Sequence, residues 1–150
     1  MKRIAIIALM CVIGLSGFAR GKKPVAFQKM PEVLQTEILT NFAEDQVQLI
    51  TSQKIMPRYH KFVFHMADGT KMEYMSVGYK KFKVQFRNIR NENGIKEAYV
   101  PERVLTYVHE TFPNATITEY KRETMKQDIR LNDKMNLVFT KKGKFIRIDD

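Results

Sequence analysis

The sequence predicts an α+β fold: two tandem units, each one helix followed by a four-stranded antiparallel sheet, with the helices packed on one sheet face. Three observations predict it. Met30-Pro31-Glu32 recurs as Val100-Pro101-Glu102, and the residues after each copy keep their apolar positions in step. Leu34, Ile38 and Phe42, like Val104, Val108 and Phe112, stand at helical spacing. The stretches after them alternate apolar and polar side chains, the pattern of half-buried strands.

The first nineteen residues read as an export signal. Lys2 and Arg3 precede an apolar run from Ile4 to Ile13, and Gly17-Phe18-Ala19 supplies small residues for cleavage. The run is too short to span a bilayer, which takes about 20 apolar residues. Cys11 is the only cysteine and opens a lipoprotein alternative, although Met10 suits lipidation poorly. Cleavage after Ala19 leaves a chain without cysteine, so a disulfide framework is excluded and an apolar core must hold the fold. With 44% hydrophobic and 28% charged residues, the chain can build that core and a disordered polymer is not expected. No later stretch is long and apolar enough for a transmembrane helix, so no transmembrane segment is expected after cleavage.

The first unit is expected over residues 20–87. Pro31 starts its helix, since a missing N–H is harmless in the first turn. Gln35 and Glu37 point away from the apolar stripe. A helix of about 12 residues is unstable alone and needs a sheet beneath it. Val47 to Ser52 makes the first strand. In Tyr59 to Met66, Phe62, Phe64 and Met66 share the inward face, with Lys61, Val63 and His65 opposite. Asp68-Gly69 is a hairpin turn, and Met72 and Tyr74 point inward after it. After Gly78, Phe82, Val84 and Phe86 alternate with Lys81, Lys83 and Gln85.

Residues 88–98, polar and containing Gly94, form the expected linker. The second unit, 99–150, repeats the plan. Leu34, Ile38, Phe42 and Val47 fall on Val104, Val108, Phe112 and Ile117. After a slip in loop length, Tyr74 falls on Phe139 and Gly78 on Gly143. Pro113 ends the helix, and Asn114-Ala115-Thr116 reads as the turn after it rather than a glycosylation site. Ile129 and Leu131, then Leu137 and Phe139, point inward before a last strand from Lys144 to Ile148.

These residues carry a resemblance. An export signal, a Pro-led helix ending in Phe, and Phe112-Pro113-Asn114-Ala115-Thr116-Ile117 after the second helix resemble the β-lactamase-inhibitor-like, PepSY-like proteins, small exported proteins of Bacteroides-type bacteria. The likeness covers residues 24–150. It departs from the pattern at Phe42-Ala43-Glu44-Asp45 and at Lys126-Gln127-Asp128-Ile129. It implies a helix-on-sheet tandem fold and a binding or inhibitory role, periplasmic, at the cell surface or secreted. It does not imply inhibition of any β-lactamase.

Searches for chemistry return nothing. Ser52 and Ser76 lie outside any nucleophile elbow. His60 and His65 face opposite sides of one strand, and His109-Glu110 lacks the second His of a zinc motif. No enzyme activity, catalytic residue, metal or cofactor is expected. The formal charge of +10 is concentrated near the last strand of each unit, at Lys80, Lys81, Lys83 and Arg87, and at Lys141, Lys142, Lys144 and Arg147. An exported protein rarely meets nucleic acid, so no nucleic-acid partner is expected. A protein partner is expected on the helix-free sheet face. The contact residues would be Tyr59, Lys61, His65, Lys81, Lys83, Arg130, Phe145 and Arg147. The alternative is a basic envelope protein that binds anionic lipid, glycan or a small ligand.

Overall fold

The computed structural model describes residues 21–41, 46–77, 83–132 and 134–149. The expected signal with Cys11, and Phe42, Gly78, Lys80, Lys81 and Phe82, lie outside the described residues.

Helix α1 spans Glu32–Asn41 and α2 spans Glu102–Thr111. Both begin one residue after a proline. The Pro31 carbonyl accepts the N–H groups of Leu34 and Gln35, and the Pro101 carbonyl those of Val104 and Leu105. Each proline thus supplies an acceptor to the first turn while lacking only a donor that the turn cannot use. Leu34 and Ile38 on α1, and Val104 and Val108 on α2, are fully buried. Phe112 caps α2, its N–H donating to the Val108 carbonyl at 2.7 Å, and is half-buried.

Nine strands make one antiparallel sheet among the described residues. They are β1 (Lys22–Pro24), β2 (Val47–Met56), β3 (Tyr59–Met66), β4 (Lys71–Val77), β5 (Val84–Arg90), β6 (Ile117–Arg122), β7 (Lys126–Leu131), β8 (Met135–Thr140) and β9 (Phe145–Asp149). Spatial order equals chain order. The short strand β1 is an addition to the expected plan; its lysines and Pro24 suit an edge that must not recruit another strand.

β5 runs on to Arg90, so the irregular connection to α2 is shorter than the expected linker. Asn91 fastens that connection. Its side-chain amide donates to the Asp68 carbonyl at 3.1 Å and to Thr70 Oγ1 at 3.0 Å, and its Oδ1 accepts the Asn93 N–H. Gly94 comes next at φ 102°. A Cβ there would stand 2.9 Å from Thr116 Cγ2, so both backbone angle and space require glycine.

The register lines up Phe64, Met72, Ile89, Tyr120, Ile129 and Leu137 across six strands. These residues join Leu34, Ile38, Val104 and Val108 in one cluster, which puts both helices on the same sheet face. Tyr107 of α2 extends the cluster, stacking on Phe145 at 4.7 Å and meeting Phe139 edge-on. Glu37, expected to point away from the core, instead reaches down to the sheet. It pairs with Arg87 and accepts the Tyr74 hydroxyl at 3.1 Å. Burial, then the Glu37 charge, push the Tyr74 hydroxyl well above the usual tyrosine range.

Two register shifts correct the expected faces. Between Met75 and Ser76 the pairing slips, so Ser76 opposes Val84 while Met75 opposes Phe86. Phe86 therefore turns to the helix-free face, not into the core. A second slip, between Val138 and Phe139, sets Phe139 opposite Phe145 and Val138 opposite Arg147. Phe145 therefore lies on the helix side and is not an anchor of the open face. One extra residue in a strand inverts the alternation beyond it.

Candidate functional site

The face away from the helices is built by the alternate residues of every strand from β2 to β9. Three of its rows matter. The first runs His65, Lys71, Arg90, Glu119, Arg130 and Asn136, each directly opposite the next on the neighbouring strand. The second holds Glu73, Asn88, Lys121, Asp128, Val138 and Arg147. The third brings Lys61, Met75 and Phe86 together.

Of the expected contact residues, Tyr59, Lys61 and His65 share this face along β3, and Arg130 and Arg147 join it from β7 and β9. Lys83 is exposed just ahead of β5, its backbone N–H donating to Ser76 Oγ at 3.1 Å. Lys81 lies outside the described residues, and Phe145 is on the other side.

The face is less basic than the composition suggests, because its cations are largely paired. Lys61 meets Glu73 at 2.9 Å, Lys121 meets Glu123 at 2.6 Å, and Arg130 meets Glu119 at 3.2 Å. Lys126 reaches Asp128, and Arg147 forks onto both oxygens of Asp149. The hydrogen bond from Lys121 holds the Glu123 carboxyl below the usual carboxylate range, and Arg147 does the same to Asp149. Such surface pairs, most of them between half-buried residues, are worth little stability each, but they match the charges of the face.

Sequence reasoning missed four contributors. Phe86 and Met75 form an apolar strip on this face, with the Lys121 ammonium 5.6 Å from the Phe86 ring centroid. Lys71 and Arg90 stand directly opposite each other, both exposed and without an ion-pair partner among the described residues. They line a cleft of about 570 Å³ at one end of the face, together with Gly69, Asn91, Thr118 and Arg130. His65 sits beside Lys71. Partial burial first, then Lys71 and Lys22, push its imidazole below the ordinary value of 6.5. The register could not be read from the sequence, so neither the cleft nor the strip could be found there.

Among the described residues no three His, Cys, Asp or Glu side chains gather to hold a metal ion. No helix among them is long and apolar enough to cross a membrane.

Residues 19–85 and 88–147 match the family model "Putative beta-lactamase-inhibitor-like, PepSY-like". The chain belongs to this PepSY-like family. Solved structures with the same fold come from Bacteroides species. One is a "putative calcium-regulated periplasmic protein" from Bacteroides thetaiotaomicron, 22% identical, with a TM-score of 0.72 over 86% of this chain and 97% of that one. Another is a "putative periplasmic protein" from Bacteroides vulgatus, 21% identical, with a TM-score of 0.72 over 89% of this chain and all of that one. At such identity the likeness is one of fold. No curated protein matches the chain by sequence.

Proposed function

We propose that this PepSY-like chain is an exported, non-enzymatic binding module that engages a protein partner through its helix-free sheet face. Two tandem units would build that face, the first up to β5 and the second from α2 to β9. Matching burial supports the tandem reading: Leu34 and Val104, Ile38 and Val108, and Tyr74 and Phe139 occupy like places in the core. Short 3-10 turns, Phe27–Lys29 and Glu97–Tyr99, precede the two helices in the same way. Export, with the periplasm as destination, is supported by the leader pattern and by the periplasmic description of the similar Bacteroides proteins.

The observation that carries the binding role is the open face itself. It presents an apolar strip, Met75 and Phe86, set among positioned ion pairs, and neither helix covers it. The pairing of most of its cations favours recognition of a shaped protein surface over diffuse attraction to anionic lipid. The test is affinity capture from envelope extract of the native host, and then titration of the purified partner. A stoichiometric complex, with affinity only weakly dependent on salt, supports the reading. Binding only to envelope lipid or glycan, falling steeply with salt, refutes it.

A further inference from the structure

At the end of the open face where β3 turns into β4, three cations from three strands converge on one cleft. Lys71 of β4 faces Arg90 of β5 across the ladder, and Arg130 of β7 lies two strands further on. Like charges directly opposite each other destabilise a sheet. Arg130 has Glu119 at 3.2 Å and Asn136 Oδ1 at 3.0 Å. Lys71 and Arg90 have no carboxylate within ion-pair distance among the described residues. From β3 to β9 the other cations of this face, Lys61, Lys121, Lys126, Arg130 and Arg147, each meet a carboxylate, so Lys71 and Arg90 stand out among them.

The walls of the cleft are fixed. Asn91 is held by Asp68, Thr70 and Asn93, and its N–H donates to the Thr118 carbonyl at 2.9 Å. Gly69 leaves the rim open, with nothing within 4 Å of where a Cβ would stand. The held Asn91 wall adds no ordering cost when the cleft is filled; that cost falls on the Lys71 and Arg90 side chains.

We propose that this cleft receives a single carboxylate side chain from an acidic segment of the partner protein, held between Lys71 and Arg90. The proposal rests on the open-face reading and names the partner chemistry at one end of it. The charge sum selects a carboxylate. Lys71, Arg90 and Arg130 are set against Glu92 and Glu119 in the lining, which leaves one positive charge unmatched. One carboxylate balances it, whereas a phosphate dianion would leave an excess negative charge. The Arg90 fork can grip both oxygens of that carboxylate as it would those of a phosphate, so the charge sum rather than the fork makes the choice. The apolar strip at Met75 and Phe86 lies on the same two strands, within reach of a segment that seats its acid in the cleft.

The test uses the protein, 15N-labelled, titrated with the blocked tetrapeptide acetyl-Asp-Glu-Asp-Glu-amide. The neutral Asn-Gln-Asn-Gln peptide and inorganic phosphate serve as comparisons. The acidic peptide should give saturable shifts centred on Lys71, Arg90 and Arg130. Arg90→Glu should weaken it about tenfold or more, because a fork that donates becomes a charge that repels. Shifts scattered over the surface, or equal binding of the neutral peptide, overturn the proposal. So does displacement of the peptide by equimolar phosphate, which would make this an inorganic-anion site. Capture of the native partner separates the two readings. If Arg90→Glu leaves capture unchanged while Phe86→Ala abolishes it, the open face stands and the cleft proposal falls. If both variants capture normally, the open-face reading fails as well.

Discussion

Ile38→Ala tests the packing of helix on sheet. Ile38 is 1% exposed and sits in the cluster that runs beneath both helices. The substitution removes three buried carbons, each worth about 0.8 kcal/mol, or about 2.4 kcal/mol of lost transfer free energy. The cavity left behind raises the cost to about 3–4 kcal/mol, within the range seen for such truncations. For a chain of this size, about 3 °C of melting temperature is lost per kcal/mol, so the midpoint should fall by about 10 °C. Val108→Ala removes two carbons from the buried stripe of α2 and should cost about 2–3 kcal/mol. Because Ile89 of β5 pairs with Tyr120 of β6 within one continuous core, both variants should move the same single transition. Differential scanning calorimetry, with near-ultraviolet circular dichroism as a second probe, reads this out. A shift under about 1 °C for Ile38→Ala would refute the packing argument. Two separated transitions, with only one displaced, would refute the single cooperative core.

Two other predictions rest on local geometry. Gly94→Ala should destabilise more than Gly69→Ala in urea unfolding. Both glycines have positive φ, costing a side chain about 1–2 kcal/mol, but only Gly94 would also press a Cβ onto Thr116; equal losses would sink the steric argument. His65, whose folded-state pKa is depressed, makes stability fall as pH drops through 6.5, because the unfolded chain takes the proton first. The decline should end once pH passes below the folded pKa. His65→Gln should flatten this segment of the profile of melting temperature against pH, and an unchanged slope in the variant would show that the burial and the neighbouring Lys71 and Lys22 do not act as described.

What the sequence made legible was everything that depends on local periodicity. Leu34, Ile38, Val104 and Val108 were readable as helix stripes because 3.6-residue spacing leaves no other face for them. Phe64, Met72, Tyr74, Ile129, Leu137 and Phe139 were readable as the inward set because alternation is strict within each of their strands. Phe86 and Phe145 failed for one shared reason. Val84 and Phe86, like Phe145 and Arg147, are two residues apart, so alternation assigns each pair to one face. The slips opposite Ser76 and Phe139 divide both pairs. No residue type marks those slips. The cleft was hidden for a different reason. Lys71, Arg90 and Arg130 are far apart in sequence and meet only through the register of four consecutive strands. Glu37 was misplaced because a long polar side chain at the edge of an apolar stripe can bend under the helix when Arg87 and Tyr74 wait beneath it.

Hydroxyl-radical footprinting of the chain, free and bound to its captured partner, tests the binding role most directly. It reads side chains and therefore distinguishes the two faces of a sheet whose backbone is already protected. The open-face account predicts that Tyr59, Met75 and Phe86 lose reactivity on binding. Leu39, Tyr107 and Phe145, on the helix side, should keep theirs. Protection of the helix-side set, with Met75 and Phe86 unchanged, would contradict it.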